Sequence, residues 1–102
     1  MFRYVFFLLV LAVNFTFSQT ASFTGKVFDK NTDVTISEVK VNILNPNLSV
    51  KTNKFGEFEF ENLKPGDYSA EFVHQGYKTL TADFRIISNI TSTLDIKLSV
   101  NE

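Results

Sequence analysis

The sequence contains no cysteine and a single histidine, His74. The absence of cysteine excludes disulfides, thiolate chemistry and cysteine-based zinc sites, and it also excludes processing as a lipoprotein. One histidine cannot supply the several ligands that a metallopeptidase centre needs. We therefore expect His74 to be an ordinary residue at the end of a strand, beside Gly76, and we predict no metal site.

The motifs of common enzyme classes are missing as well. There is no glycine-rich phosphate loop, and no nucleophile motif that could use His74 as its base. The formal net charge is −1, which argues against a general binder of nucleic acid or of anionic membranes. The inventory predicts no enzyme, no catalytic residue and no cofactor.

The first eighteen residues have the three-part layout of a secretory signal peptide. Arg3 supplies a positive start, and an unbroken apolar run extends from Val5 to Val13. Small residues, Thr16 and Ser18, precede a cleavage point before Gln19. The run falls short of the roughly 20 residues that span a membrane, although an uncleaved anchor is the alternative. We predict a signal peptide over residues 1–18 and one domain over residues 19–102.

The remainder of the chain shows no 3.6-residue periodicity, internal repeat or low-complexity tract. Seven runs alternate apolar and polar residues instead: Ser22–Asp29, Glu38–Leu44, Leu48–Thr52, Glu57–Glu61, Tyr68–Gln75, Tyr77–Ile87 and Thr91–Val100. Short alternating strands with frequent turn signals predict an all-β, antiparallel sandwich of about seven strands. Without disulfides the core alone must hold such a domain, and 7 of the chain's 12 phenylalanines lie within residues 19–102 and supply it with large apolar side chains.

The clearest stretch of the pattern, Thr52 to Tyr68, reads as turn, strand, turn, strand. Phe58 and Phe60 share one face of the strand, and we expect them to be among the most buried residues. The two turns contain Gly56 and Gly66, which we predict to be turn residues and not ligand contacts.

On the opposite face of this strand, Glu57, Glu59 and Glu61 form a row of carboxylates. With Asp67 they could bind calcium only if more oxygen ligands converged, since calcium takes six to eight. The sequence favours a solvated face that protects a sheet edge from pairing.

Aromatic residues could instead mark a carbohydrate- or surface-binding module. The candidates are Phe28, Phe55 and Tyr77. A small sandwich needs most of its rings in the core, so the favoured interpretation places all three there.

Five segments in order resemble the carboxypeptidase-regulatory-like domain, a small transthyretin-like β-sandwich. They are Gly25-Lys-Val-Phe-Asp29, Val39-Lys-Val-Asn-Ile43, Thr52-Asn-Lys-Phe-Gly-Glu-Phe58, Asn62-Leu-Lys-Pro-Gly-Asp-Tyr68 and Gly76-Tyr77-Lys78. Two departures stand out. Val34 to Glu38 replaces the family's Pro-Leu-x-Gly-Ala stretch, and Asn53 replaces the usual turn aspartate, whose hydrogen bond asparagine can also make.

The resemblance implies a context more than an activity. Such domains extend the N-termini of TonB-dependent outer-membrane receptors, accompany some metallocarboxypeptidases and occur in secreted proteins. We therefore expect a non-catalytic module, exported to the periplasm or outer membrane, that contacts an envelope or outer-membrane protein. It would be free-standing or a fragment of a receptor, because 102 residues leave no room for a barrel or a peptidase. A secreted carbohydrate-binding module and a carboxypeptidase regulatory module are the alternatives.

Overall fold

The computed structural model describes residues 21–101, which form eight β-strands. The strands are β1 (Ala21–Asp29), β2 (Lys40–Leu44), β3 (Asn47–Lys51), β4 (Glu57–Leu63), β5 (Gly66–Val73), β6 (Leu80–Ile86), β7 (Thr91–Thr93) and β8 (Ile96–Leu98). The predicted signal peptide, residues 1–18, lies outside the described residues. Within residues 21–101 no helix is long and apolar enough to cross a membrane.

The strands form two sheets, which confirms the predicted sandwich. In the first sheet β4 and β7 flank β1, and β8 also pairs with β1. In the second sheet the order is β3-β2-β5-β6, with every pairing antiparallel. The first sheet is mixed, since β1 pairs antiparallel with β4 but parallel with β7 and β8.

The last predicted strand, residues 91–100, is two strands separated by a short break. Thr24 pairs with Thr93 before the break, and Val27 pairs with Ile96 after it. At the break the carbonyl oxygen of Leu94 lies over Gly25, only 1.9 Å from the position that a β-carbon on residue 25 would occupy. The backbone of Leu94 thus approaches residue 25 more closely than a β-carbon would allow, at the point where the ladder is interrupted.

The second and sixth strands begin later than their alternating patterns predict. Glu38 has a left-handed backbone, with φ of 62°, and such a residue cannot continue an extended strand. Strand β2 therefore starts at Lys40. Tyr77, where the pattern places the start of the sixth strand, instead closes a turn by donating its N–H to the His74 carbonyl at 3.0 Å.

The buried threonine Thr52 fastens the segment that crosses between the sheets before β2. Its side chain is 1% exposed. The Thr52 hydroxyl donates to the carbonyl oxygen of Ile36 and accepts from the N–H of Val39, both at 2.9 Å. These two side-chain hydrogen bonds take the place of backbone ladder bonds beside Glu38, whose backbone is not extended.

The core lies between the two sheets and is rich in phenylalanine. Phe58 and Phe60 are 4% and 5% exposed, as predicted. The Phe23 ring contacts Phe58 edge-on at 5.3 Å and stacks on Phe84 at 3.9 Å between centroids. These rings join the first sheet to the second. The alternation is less reliable at strand ends, where Leu80 and Val100 remain partly exposed.

Candidate functional site

An open cleft lies where β3, an edge of the second sheet, faces β4, an edge of the first. Its volume is about 690 Å³. Both strands contribute to its walls, together with residues from β1 and from the β7–β8 region. The lining residues are Thr24, Gly25, Lys26, Val50, Lys51, Asn53, Glu57, Phe58, Glu59, Thr93 and Asp95. On the opposite side of the sandwich, backbone hydrogen bonds join the residues after β8 to the turn after β5.

The charged groups of the cleft are mixed in sign. Lys26 and Lys51 bring positive charge, whereas Glu57, Glu59 and Asp95 bring negative charge. The hydroxyls of Thr24 and Thr93 lie 3.2 Å apart and add hydrogen-bonding groups. The lining contains no histidine, serine or cysteine. The cleft is therefore equipped to bind polar groups, and it contains no Ser–His or Cys–His pair.

The predicted calcium candidates are not brought together. Asp67 lies on β5 in the other sheet, where its carboxylate accepts from Arg85 Nε at 2.7 Å. That hydrogen bond, followed by the charge of Arg85, lowers the pKa of Asp67. Among residues 21–101 no three His, Cys, Asp or Glu side chains are placed to share a metal ion.

The turn before β4 is rigidly held by Asn53. Its side-chain oxygen accepts from the N–H groups of Phe55 and Glu57, both at 2.9 Å. Its backbone exchanges further bonds with Gly56 and Glu57. Gly56, with φ of 77°, completes the turn. Asparagine therefore caps this turn through its side chain, as the sequence predicts.

The expectation that Phe28, Phe55 and Tyr77 all lie in the core is wrong. Phe55 is 57% exposed at the tip of the turn, with the Lys54 ammonium 5.2 Å from its ring centroid. Phe28 is half-buried on the outer face of the first sheet, whereas Tyr77 packs against the core. The period of a strand fixes side-chain direction only within the strand, and Phe55 stands outside one.

Tyr77 links the turn after β5 to the end of β1. Its hydroxyl donates to Asp29 Oδ2 at 2.8 Å, while Asp29 Oδ1 accepts from the N–H groups of Asn31 and Thr32. The Tyr77 hydrogen bond is the main cause that lowers the pKa of Asp29, and the same bond raises the pKa of Tyr77. This cluster joins the two sheets through two motif residues that are far apart in sequence.

His74 lies beside this cluster but outside its hydrogen bonds. Its Nδ1 accepts from the N–H of Gly76 at 3.0 Å, and its ring meets Tyr77 edge-on at 5.3 Å. The structure thus places His74 just after β5, beside Gly76, where the sequence predicts it.

Most of the cleft is not predictable from the sequence. Lys26, Val50, Lys51, Thr93 and Asp95 belong to three different regions of the chain, and no local motif connects them. The only available signal was the strand alternation, which marks Lys26 and Thr93 as polar outward positions without saying what lies beside them.

The motif residues that the structure brings together belong to a known domain. The sequence profile of the carboxypeptidase regulatory-like domain matches residues 22–99. The chain belongs to the carboxypeptidase regulatory-like domain family. In this family member the end of the first strand, Asp29, and the Gly76-Tyr77 pair meet across the sandwich, which gives the two separated motifs one structural role. No curated protein matches the chain in sequence.

Solved structures with this fold include proteins of unrelated kinds. The Bacillus anthracis TIE protein matches 80% of this chain with a TM-score of 0.71 and 18% identity. A proposed carbohydrate binding protein from Bacteroides uniformis matches 78% with a TM-score of 0.60 and 15% identity. Catechol 1,2-dioxygenase from Acinetobacter matches 87% with a TM-score of 0.69 and 10% identity.

These three structural matches, at 18% identity or less, establish the fold alone. The chain spans 17%, 41% and 55% of the three proteins, respectively. A shared β-sandwich hosts many unrelated functions, so the activity of the family member described here must be argued from its own surfaces.

Proposed function

We propose that this chain is a non-catalytic, exported module that works through protein contacts at the bacterial envelope. It serves as an accessory or N-terminal part of a TonB-dependent outer-membrane receptor. The observation that carries the proposal is the order of two segments. A signal-peptide pattern over residues 1–18 leads directly into a carboxypeptidase regulatory-like domain over residues 22–99.

The character of the surface supports contact with a partner and not catalysis. The cleft between β3 and β4 offers backbone edges, hydroxyls and both signs of charge. The single histidine of the sequence, His74, is not among the residues that line the cleft, and the sequence has no cysteine, so a Ser–His or Cys–His pair is not available there.

Site-specific photo-crosslinking in living cells tests the proposal. A photoreactive amino acid replaces Phe55, beside the cleft, or Asp83, on the outer face of the second sheet, in a chain that keeps its own leader. We expect the protein in the envelope fraction, with a defined crosslinked envelope protein at Phe55 and none at Asp83. Retention in the cytoplasm, or no crosslink to an envelope protein from any position around the cleft, would contradict the proposal.

Carbohydrate binding is a second candidate, favoured by one observation. Phe55 is 57% exposed on a turn that Asn53 holds in place, and a fixed exposed ring can stack on a sugar ring. A glycan array compares the native chain with Phe55→Ala, and with Val34→Ala as a control for loss of another exposed apolar side chain. Binding that disappears only with Phe55→Ala supports this candidate, and an array without hits removes it.

A further inference from the structure

We propose that the free edge of β4 at Glu59 and Glu61 accepts an extended partner segment, with lysine or arginine at alternate positions, as an added strand. This inference rests on the proposed function, since it names the kind of partner that a protein-contact module would take. The site is the unpaired backbone of β4, and the carboxylate row selects what pairs with it.

The hydrogen bonds at the start of β4 show which backbone groups face outward. The carbonyl of Gly56 accepts from the N–H of Val27 on β1, so Gly56, Phe58 and Phe60 direct their backbone groups toward β1. In an antiparallel strand the intervening residues direct both groups the other way. Glu59 therefore presents its N–H and its C=O to the open side. The N–H of Glu61 points the same way, because it lies opposite the Phe60 carbonyl in a trans peptide. Beyond it the register shifts, since Phe60 pairs with Phe23 but Leu63 pairs with Ala21, and Asn62 is left-handed with φ of 60°.

The edge has a defined length because its first position is already occupied. The N–H of Glu57 donates to the Asn53 side chain, and its carbonyl accepts from the Asn53 N–H at 2.9 Å. Among residues 21–101 no strand pairs with the other side of β4, and β3 faces it without a ladder. A short segment entering the cleft can thus pair from Glu59 onward.

The side chains specify a basic, alternating sequence. Directly opposite residues on neighbouring strands have β-carbons about 4.5–5.5 Å apart, and opposite charges there are favourable. Within residues 21–101 the ion pairs are Arg85–Asp67 and Lys97–Asp33, which leaves Glu59 and Glu61 without such a partner. The intervening residues of the added strand would direct their side chains inward, toward Phe58 and the partly buried Val50. Apolar or small side chains fit there.

The same row of carboxylates opposes pairing between two copies of this chain. If β4 paired with its own copy, glutamates would stand opposite glutamates, and like charges directly opposite are destabilising. Charged edge residues are a common protection against aggregation. A basic segment of a different protein would instead place lysine or arginine opposite these glutamates, and such pairs attract.

A synthetic peptide that alternates lysine with threonine or valine, seven residues long, tests the inference on the exported chain. Binding is measured by NMR titration, and pairing by amide hydrogen exchange at Glu59 and Glu61. We expect exchange at these two N–H groups to slow by at least about tenfold. Affinity should fall about 1.5- to 5-fold for each of Glu59→Gln and Glu61→Gln, whereas Glu71→Gln on the second sheet should leave it unchanged.

Two peptide controls separate strand pairing from attraction of charge alone. The first has the same composition with its lysines consecutive. The second control is a pair of alternating peptides. One carries backbone N-methyl groups on its lysines, and the other carries them on the intervening residues. We expect the block peptide and one methylated form to lose binding, because only one set of backbone groups faces β4. Equal binding of both methylated forms, equal binding of the block peptide, or no binding of any peptide would overturn the inference.

The variant Glu59→Pro distinguishes this inference from the proposed function. Proline removes the outward N–H at an edge position that tolerates it, and a thermal melt confirms that the variant folds. If Glu59→Pro abolishes the photo-crosslink from position 55, the edge is the contact site. If the crosslink to the same envelope protein persists, the edge inference fails while the protein-contact function stands.

Discussion

Replacing Gly25 with alanine should destabilise this domain, although such a change in a strand normally helps. Alanine reduces the entropy of the unfolded chain and usually gains about 0.4–1 kcal/mol when the native backbone accepts it. At Gly25 the new β-carbon would stand 1.9 Å from the Leu94 carbonyl oxygen and 2.7 Å from Phe58 Cζ. The first contact is with backbone, which cannot rotate away.

The size of the destabilisation depends on how far the neighbouring atoms must move to accommodate the new β-carbon. Overpacking a well-filled interior costs about 1–3 kcal/mol and occasionally more. Here both the break between β7 and β8 and the buried Phe58 ring must shift. We expect a net loss of about 3 kcal/mol in the free energy of unfolding, which corresponds to a fall of about 12–24 °C in Tm for a domain of this size.

Gly76→Ala is the matched control, because a β-carbon at Gly76 would meet nothing nearer than His74 Nδ1 at 3.7 Å. Urea unfolding followed by circular dichroism gives the free energy of both variants, and thermal melts give their Tm. We expect Gly76→Ala to be neutral or slightly stabilising. A Gly25→Ala variant as stable as the native chain would refute the close contact between β1 and Leu94.

Three further predictions concern stability. In urea unfolding, Phe58→Ala should lower the free energy of unfolding by about 3–5 kcal/mol. Phe55→Ala, at an exposed position, should lower it by no more than about 0.5 kcal/mol. A decrease below about 1 kcal/mol for Phe58→Ala would be inconsistent with the burial of Phe58. Glu38→Gly should raise the free energy of unfolding by up to about 1 kcal/mol, because glycine relieves the left-handed backbone at an entropic cost, and a lowered Tm would contradict this. Because the pKa of Asp29 is lowered, its contribution to the free energy of unfolding is present above the unfolded pKa of about 3.9. This contribution is lost as the pH falls through the folded pKa. Because the pKa of Tyr77 is raised, its contribution to the free energy of unfolding is present below the unfolded pKa of about 10. This contribution is lost as the pH rises through the folded pKa. Tyr77→Phe should therefore weaken both dependences in urea midpoints measured against pH, and unchanged curves would argue against the hydrogen bond.

The sequence predicted the faces of the strands well because a period of two residues is a local property. Val39, Val41 and Ile43 are fully buried, and Phe58 and Phe60 nearly so. Which strands pair, and in which direction, depends on contacts between distant residues. Nothing in the pattern of residues 91–100 shows that they run parallel to β1 or that Gly25 breaks their ladder.

The candidate site was less predictable than the fold. Asp29 and Tyr77 were visible as separate motif residues, but their hydrogen bond spans 48 positions in the chain. The exposure of the Phe55 ring is not predictable from alternation, since its turn is held by side-chain hydrogen bonds that alternation does not describe. The cleft combines residues from several strands, so only the tertiary arrangement reveals it.

The parallel pairing of β1 with β7 and β8 has a consequence for the order in which the chain becomes structured. Strand β1 is the first of the eight strands to be synthesised, yet its partners on one side lie 69 positions later at both ladders, as the pairs Ser22–Thr91 and Val27–Ile96 show. Closing so long a loop precedes any gain from the pairing, which slows folding. The first sheet can therefore be completed only after nearly the whole domain has emerged, and until then β4 is the strand of residues 21–101 that can pair with β1.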